Sequence, residues 1–206
     1  MIPTRIFVAV PVLMAFTASA FADRLLQIPT GRKIPFRSLR SELWFEPHQD
    51  GTTEYYAAAG LTNSIDFEIR TQRFRNQDVK QALDFSYQFV GPIPDLSPGI
   101  SVGIQDALNQ TSDGRRPYLA FTLRQTMSVL DGDAYGDLTL GTFFGVKSGA
   151  LIGFSLPVTQ KFRLVVDHNG YRAAGGLEIA PFAGASVKLI ARGDQTFLTL
   201  GYTRRF

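Results

Sequence analysis

The feature that most constrains this chain is an alternation of apolar and polar residues with a period of two, which covers almost all of the sequence after Arg37. The stretch from Ile65 to Arg70, for example, reads Ile, Asp, Phe, Glu, Ile, Arg. Successive side chains of a β-strand point to opposite faces, so this period indicates strands with one apolar and one polar face. No stretch carries a helical period long enough to supply a crossover connection. The sequence therefore predicts an all-β fold.

Twelve such segments can be counted, separated by residues that favour turns. They cover residues 38–47, 53–61, 65–74, 79–90, 100–107, 118–127, 137–147, 151–157, 162–167, 173–180, 186–192 and 197–206. The intervening dipeptides include Asp50-Gly51, Ser148-Gly149, Asn169-Gly170 and Gly193-Asp194, which admit the positive φ angles of tight hairpins. We therefore expect an antiparallel meander of about twelve strands, with two unusually long connections at 91–99 and 128–136.

The alternation by itself fits two kinds of protein. In a secreted soluble β-sandwich or lipocalin-like binding protein the apolar faces pack against one another, so Phe67 with Ile69 and Leu138 with Leu140 would lie in a core. In a transmembrane β-barrel the same residues face lipid, and the polar faces line an enclosed interior.

The last segment favours the barrel. It ends on an aromatic residue and resembles the terminal strand by which outer-membrane barrels are recognised for assembly, although Arg204 departs from that pattern. The face that carries this expected assembly signal consists of Leu198, Leu200, Tyr202 and Phe206. An even number of strands also leaves both termini on the periplasmic side. Two aromatic girdles then follow, with Phe45, Tyr55 and Phe144 at the outer interface and Tyr87, Phe89, Tyr202 and Phe206 at the inner one.

The amino terminus points to export. Arg5 precedes an apolar run, residues 6–16, and the small-residue site Ala20-x-Ala22 follows, as in a signal peptide cleaved after residue 22. The alternative is an uncleaved membrane anchor. The chain has no cysteine, which excludes disulfides and a lipoprotein anchor. Its formal charge of +3 falls to +2 without Arg5, too small to suggest a nucleic-acid partner.

The polar faces predict a charged lumen, either a small polar pore or a pore closed by its own ion pairs. The residues expected to line it are Glu42, Glu54, Asp66, Glu68, Arg70, Asp84, Arg124, Lys147, Arg163, Glu178, Lys188 and Arg192, with Arg40, Glu46, Asp167 and Arg205 on the same faces. Glu178 and Lys188 are expected to face each other across a hairpin. Residues 23–37, irregular and basic, are either a periplasmic leader or a plug folded inside the barrel of residues 38–206.

A catalytic interpretation has less support. Some small outer-membrane barrels are rim hydrolases or acyltransferases, and this hypothesis requires His48 or His168 to lie within hydrogen-bond reach of an acid and a serine. Both histidines fall in turn sequences, where polar residues are common. No metal-ligand cluster or nucleotide-binding motif is present, so no cofactor, metal or catalytic residue is expected.

Short motifs resemble uncharacterised outer-membrane barrels associated with exopolysaccharide export. They are Ile28-Pro-Thr-Gly31, residues 164–170 and Gly176-Leu177. The resemblance implies an accessory role in polymer secretion. Altogether the sequence predicts an outer-membrane barrel that acts as a narrow polar channel or as a structural or export-accessory protein. Its expected partners are outer-membrane lipid, lipopolysaccharide, the barrel-assembly machinery and small polar solutes.

Overall fold

The computed structural model describes residues 24–47, 51–73, 78–145 and 147–206. The signal peptide expected at residues 1–22 and the candidate catalytic His48 lie outside these ranges. In the described residues twelve strands follow one another along the chain. They are β1 (Ser38–Phe45), β2 (Thr53–Gly60), β3 (Ile65–Arg73), β4 (Lys80–Val90), β5 (Gly99–Gln105), β6 (Arg116–Val129), β7 (Gly132–Phe143), β8 (Gly149–Pro157), β9 (Phe162–His168), β10 (Ala173–Ile179), β11 (Ala185–Arg192) and β12 (Gln195–Arg205).

Each strand pairs antiparallel with its neighbours in sequence, and β1 pairs with β12 to close the sheet into a barrel. The closing register joins Ser38 to Arg205 and Phe45 to Leu198. The predicted fold class, a closed all-β antiparallel barrel of twelve strands with meander order, is therefore confirmed. Closure leaves no strand edge unpaired, which is the requirement for a sheet placed in lipid.

The barrel has two ends. We call the end where β1 begins and β12 finishes the terminal end, and the opposite end the far end. The prediction of a long connection at 128–136 is wrong. Strands β6 and β7 extend through these residues and are joined by a turn made by Leu130 and Asp131. Gly132 follows the turn with a φ of 134°, a conformation that glycine adopts without strain. The resulting β6–β7 hairpin is longer than its neighbours and projects from the terminal end.

The two faces of the sheet differ as the alternation predicts. Apolar side chains on the outward face are solvent-exposed, including Ile69 at 42%, Leu138 at 40% and Leu140 at 45%. The soluble alternative required these side chains to be packed in a core, so it is wrong. The described part of the chain contains no helix that is long and apolar enough to span a membrane.

Residues 24–34 lie against the inner wall of the barrel and residues 35–37 are exposed at its terminal end. We call residues 24–37 the plug. It enters at the terminal end, where Phe36 forms a parallel bridge with Gly60 of β2. From there it runs toward the far end and folds back on itself through a bridge between Arg24 and Pro29. Leu26, Ile28 and Ile34 are buried, so the plug shares the barrel's interior packing and is part of the folded unit.

Candidate functional site: the plugged interior

The inner end of the plug is held by one carboxylate. Oδ2 of Asp167, in β9, accepts hydrogen bonds from the backbone N–H groups of Leu26, Gln27 and Ile28 at 2.9, 2.6 and 3.2 Å. The Gln27 side chain adds a fourth donor to Oδ1 at 3.1 Å. Backbone amides buried without a partner are costly, so this arrangement satisfies three of them at a single point. The sequence identified Asp167 only as one charge on the polar face.

The middle of the plug is fixed by small polar side chains of the barrel wall. The Thr122 hydroxyl accepts a hydrogen bond from the backbone N–H of Gly31 at 2.7 Å, and the Ser101 hydroxyl donates to the carbonyl of Thr30 at 2.7 Å. Gly31 also lies directly against Gly99 of β5, where a Cβ atom on either residue would overlap the other's carbonyl oxygen. Here glycine is required for the close approach of the two backbones.

The part of the interior that surrounds the plug tip is apolar, which the sequence analysis did not predict. Leu25, Leu26 and Ile28 pack with a group of buried side chains of the inner wall. That group consists of Trp44, Tyr56, Tyr118, Ala120, Phe143, Leu151, Val165, Ala174, Ile190 and Phe197. The expected lining named only the charged residues of the inward faces. The signal for the apolar group was the occurrence of large apolar residues, such as Phe143 and Ile190, at positions that alternate with the outward apolar residues.

Ion pairs occupy the rest of the interior and bind barrel and plug together. Glu68 accepts from Arg24 of the plug at 2.8 Å and from Arg40 of β1 at 2.6 Å. Asp137 likewise joins Arg32 of the plug at 2.9 Å to Arg124 of β6 at 2.8 Å. Both carboxylates are buried, and removing one partner of a buried pair typically costs about 3–5 kcal/mol. These bridges hold the plug to the wall as well as joining one strand to another.

Pairs within the wall complete the network. Lys188 reaches Glu42 at 3.1 Å and Arg192 reaches Glu54 at 2.7 Å. Glu178 and Lys188 are register partners across the β10–β11 hairpin, in the arrangement expected from the sequence. The ammonium of Lys188 nevertheless binds Glu42, two strands away, because the inward curvature of the barrel brings β1 close to β11.

The residues predicted to line the lumen divide into two groups. Eleven project from strands into the interior, buried or half-buried: Glu42, Glu54, Asp66, Glu68, Arg70, Asp84, Arg124, Arg163, Glu178, Lys188 and Arg192. The twelfth, Lys147, does not, since β7 ends at Phe143 and Lys147 lies in the following loop at the far rim. The residues of the expected assembly signal, Leu198, Leu200, Tyr202 and Phe206, lie on the outward side of β12 or at its end.

At the far rim Lys147 pairs with Asp113 of the β5–β6 connection at 2.7 Å and donates to the carbonyl of Ser112 at 2.9 Å. Partial burial acts to raise the pKa of Asp113, but the hydrogen bond from Lys147 and the charge of Arg116 outweigh it and hold the pKa below its ordinary value. The pair ties two neighbouring loops together at neutral pH, and it leaves the lumen unaffected.

One interior cluster carries groups of the kind used in nucleophilic catalysis. Ser86 receives a hydrogen bond from the Tyr118 hydroxyl at 2.7 Å and contacts the Lys33 ammonium. The Lys33 ammonium is also paired with Asp66 at 3.2 Å. The adjoining cavity, lined in part by Ser86 and Tyr118, has a volume of about 30 Å³, which is room for water and not for a substrate.

Of the two histidines named by the enzyme hypothesis, His168 is the one that lies in the described residues, and no acid and serine described there are assembled with it. His168 is exposed in the described structure, and its Nδ1 accepts a hydrogen bond from the backbone of Gly170 at 3.1 Å. No described carboxylate or serine hydrogen-bonds to its ring. Among the described residues there is also no group of three or more side chains able to hold a metal ion.

The interior contains fully buried side chains from several strands. Trp44 packs on Phe197, and the hydroxyls of Thr122 and Thr139 are hydrogen-bonded to each other at 2.8 Å. A cavity beside the plug measures about 20 Å³. Larger spaces lie toward the terminal end, including one of about 260 Å³ bounded by Lys161, Glu178 and Lys188.

These features define a class: a closed antiparallel β-barrel with an apolar outer surface and an interior filled by side chains and its own N-terminal segment. No family model matches the sequence, and no curated protein matches it. Among solved structures the chain is similar to the N-terminal β-barrel domain of OprF from Pseudomonas aeruginosa, at 11% identity and a TM-score of 0.28, over 82% of this chain and 98% of that chain. The assignment to the barrel class comes from the strand pairing and not from this likeness. The resemblance to exopolysaccharide-export barrels has no counterpart in these comparisons.

Proposed function

We propose that this protein is an outer-membrane β-barrel whose lumen is closed in its resting state, so that it acts as a structural or accessory membrane protein and not as an open pore. The observation that carries the proposal is the inverted distribution of polarity: apolar side chains face outward around the barrel, while the paired charges are buried inside it. This is the distribution expected of a barrel that lipid surrounds.

Further support for membrane insertion comes from the aromatic side chains. Tyr87, Phe89 and Tyr202 are outward and exposed by 43%, 61% and 52% at the terminal end. Tyr55 and Phe144, exposed by 43% and 50%, occupy the far end. Tyrosine and phenylalanine in two bands fit the interfaces on either side of a hydrocarbon layer. The terminal end would then face the periplasm, in agreement with the export signal expected in the first 22 residues.

A closed lumen is favoured over the narrow channel by the way the plug is held. Its backbone bonds to Asp167, Thr122 and Ser101, and its cations bind Glu68 and Asp137, so contacts extend along its full length. Passage of solutes would require all of these groups to separate from the wall. An accessory role in polymer export, as the sequence resemblance implies, would accordingly use the surfaces of the barrel and leave the lumen closed.

Single-channel recording in planar bilayers tests this proposal. We expect the full chain to give no sustained current, whereas a variant lacking residues 24–37 conducts, because the plug no longer fills the barrel. Asp167→Ala, which keeps the whole chain, is a second variant in case the deletion does not fold, and it should produce brief openings. A steady open current from the unmodified protein would contradict the closed-lumen proposal.

A further inference from the structure

A cavity of about 380 Å³ opens at the terminal end, where the plug enters the barrel. Polar side chains from five parts of the chain line it: the plug, the β2–β3 turn, strand β4, strand β6 and the end of β12. Its polar lining consists of Arg32, Lys33, Asn63, Gln88, Arg124 and Arg205. Four are cations and two are amides, and no carboxylate lines this cavity in the described structure.

Three of the four cations that line this mouth cavity pair with described carboxylates. Arg32 and Arg124 share the single carboxylate of Asp137, and Lys33 is paired with Asp66. Arg205 forms no ion pair with any described residue. Neither Asp66 nor Asp137 is part of the cavity lining. Arg205 is exposed at the opening, whereas Arg32, Lys33 and Arg124 are half-buried around it.

The cavity also lies beside apolar surface at the edge of the barrel. Phe36, Pro35 and Pro92 form part of its lining, and Phe36 is 41% exposed. The outward aromatic residues Tyr87 and Phe89 are at the same end. An opening that is cationic inside and apolar at its edge matches a ligand with an anionic group next to hydrocarbon.

We propose that the mouth cavity binds a phosphate group, and that the headgroup of an anionic phospholipid is the ligand that best fits its position. Guanidinium groups bind phosphate oxygens through paired, charge-assisted hydrogen bonds, and the amides of Asn63 and Gln88 add neutral donors or acceptors. Basic pockets at membrane edges recognise lipid headgroups in this way. The placement of the lipid depends on the proposed membrane insertion, whereas binding of phosphate itself does not.

The experiment uses the full chain folded in a neutral detergent, with phosphatidylglycerol in mixed micelles as the probe and native mass spectrometry to count the lipids bound. We expect Arg205→Gln to raise the apparent Kd for the lipid about five- to tenfold, the effect of losing one charge-assisted hydrogen bond. The matched control is Arg204→Gln, which removes the same charge from the adjacent outward position and should change the Kd less than about twofold.

A second variant, Asn63→Asp, introduces a carboxylate into the lining from an exposed turn and should weaken binding without affecting the terminal strand. Displacement of the lipid by millimolar inorganic phosphate would support a site for the phosphate group alone, and retention of the lipid would support headgroup and chain binding together. The proposal would be overturned if the Arg204 and Arg205 variants lost lipid affinity equally, or if the unmodified chain bound no lipid. Because the assay is carried out in detergent, a negative result would not contradict the proposed insertion of the barrel into a membrane.

Discussion

Asp167 shows how one residue sets the position of a whole segment. Its carboxylate gathers three consecutive backbone N–H groups of the plug, and Gln27 adds a side-chain donor. The acceptor is 1% exposed, so solvent cannot replace it when it is removed. Neighbouring Gly153 leaves the space into which Leu25 and Ile28 pack. The position of the plug tip is therefore set by the Asp167 carboxylate and by the space that Gly153 leaves.

Substitution of Asp167 by Ala should loosen the plug. Three buried donors lose their partner, and we expect the free energy of unfolding to fall by about 1–3 kcal/mol. Since the natural chain has no cysteine, a Leu26→Cys variant provides a single thiol at a position that is 1% exposed. Its labelling by a thiol reagent should be slow, and faster when Asp167→Ala is added. Asp194→Ala, at an exposed turn, is the control, and equal labelling in all three backgrounds would argue against the anchoring role.

Among the elements, the β6–β7 hairpin differs most from the expectation and from its neighbours. β6 has 14 residues and β7 has 12, whereas β5 has 7 and β8 has 9. Residues 132–136 of β7, which lie toward the tip, have no register partner in β8. The tip residue Leu130 is 87% exposed. Two contacts with other connections support it: Asp95 accepts hydrogen bonds from Thr126, and Asp131 accepts one from the backbone of Gln160. The projecting part of the β6–β7 hairpin is thus a two-stranded ribbon with few contacts to the rest of the barrel.

This arrangement predicts uneven hydrogen exchange. Amides of residues 129–134, at the tip of the hairpin, should exchange at least about a hundredfold faster than those of residues 118–123 of β6, because the tip can open locally while the latter open only with the barrel. Exchange followed by mass spectrometry in micelles measures both segments in one sample. Slow exchange at the tip would contradict the prediction and would mean that the ribbon is covered by another part of the protein or by a second molecule.

At the scale of the whole molecule, the barrel keeps its apolar surface outside and its charges inside. In the proposed function the outer surface meets lipid, while the interior is packed by the plug. Because Glu68 and Asp137 each join a cation of the plug to a cation of a strand, the interior constrains the relative positions of the plug and the wall. Stability and closure of the lumen therefore come from the same contacts, and a change that opens the lumen should also weaken the barrel.

A charged substitution on the outward face tests the lipid environment. Leu189 lies in the middle of β11 and is 53% exposed. We expect Leu189→Arg to lower the free energy of unfolding in lipid vesicles by about 2–4 kcal/mol, since an arginine at the middle of a membrane barrel loses its hydration. Ile179→Arg, at the end of β10, should cost about 0–1 kcal/mol. Denaturant titration gives both values, and two small effects of equal size would mean that this face meets water.

The strands and their order could be predicted from the sequence because the signal is local. Each strand carries its own two-residue period and its own turn residues, and antiparallel neighbours need only a short connection. The prediction of twelve strands in meander order was therefore correct, with most ends within two or three residues. It was wrong at the β6–β7 hairpin, where Gly132 and Gly136 interrupt the apolar pattern although the pairing continues.

Residue identity and spacing alone thus determined the sheet, its two faces and the class of fold. The tertiary structure alone decided what fills the interior: the burial of residues 24–37, the anchor at Asp167, the pairing of Lys188 with Glu42 and the apolar group around Trp44. The physical reason is that these contacts join residues far apart in sequence, which become neighbours only when the sheet closes and curves them toward one axis. A local pattern shows which side of a strand faces inward, but it does not show what that side will meet.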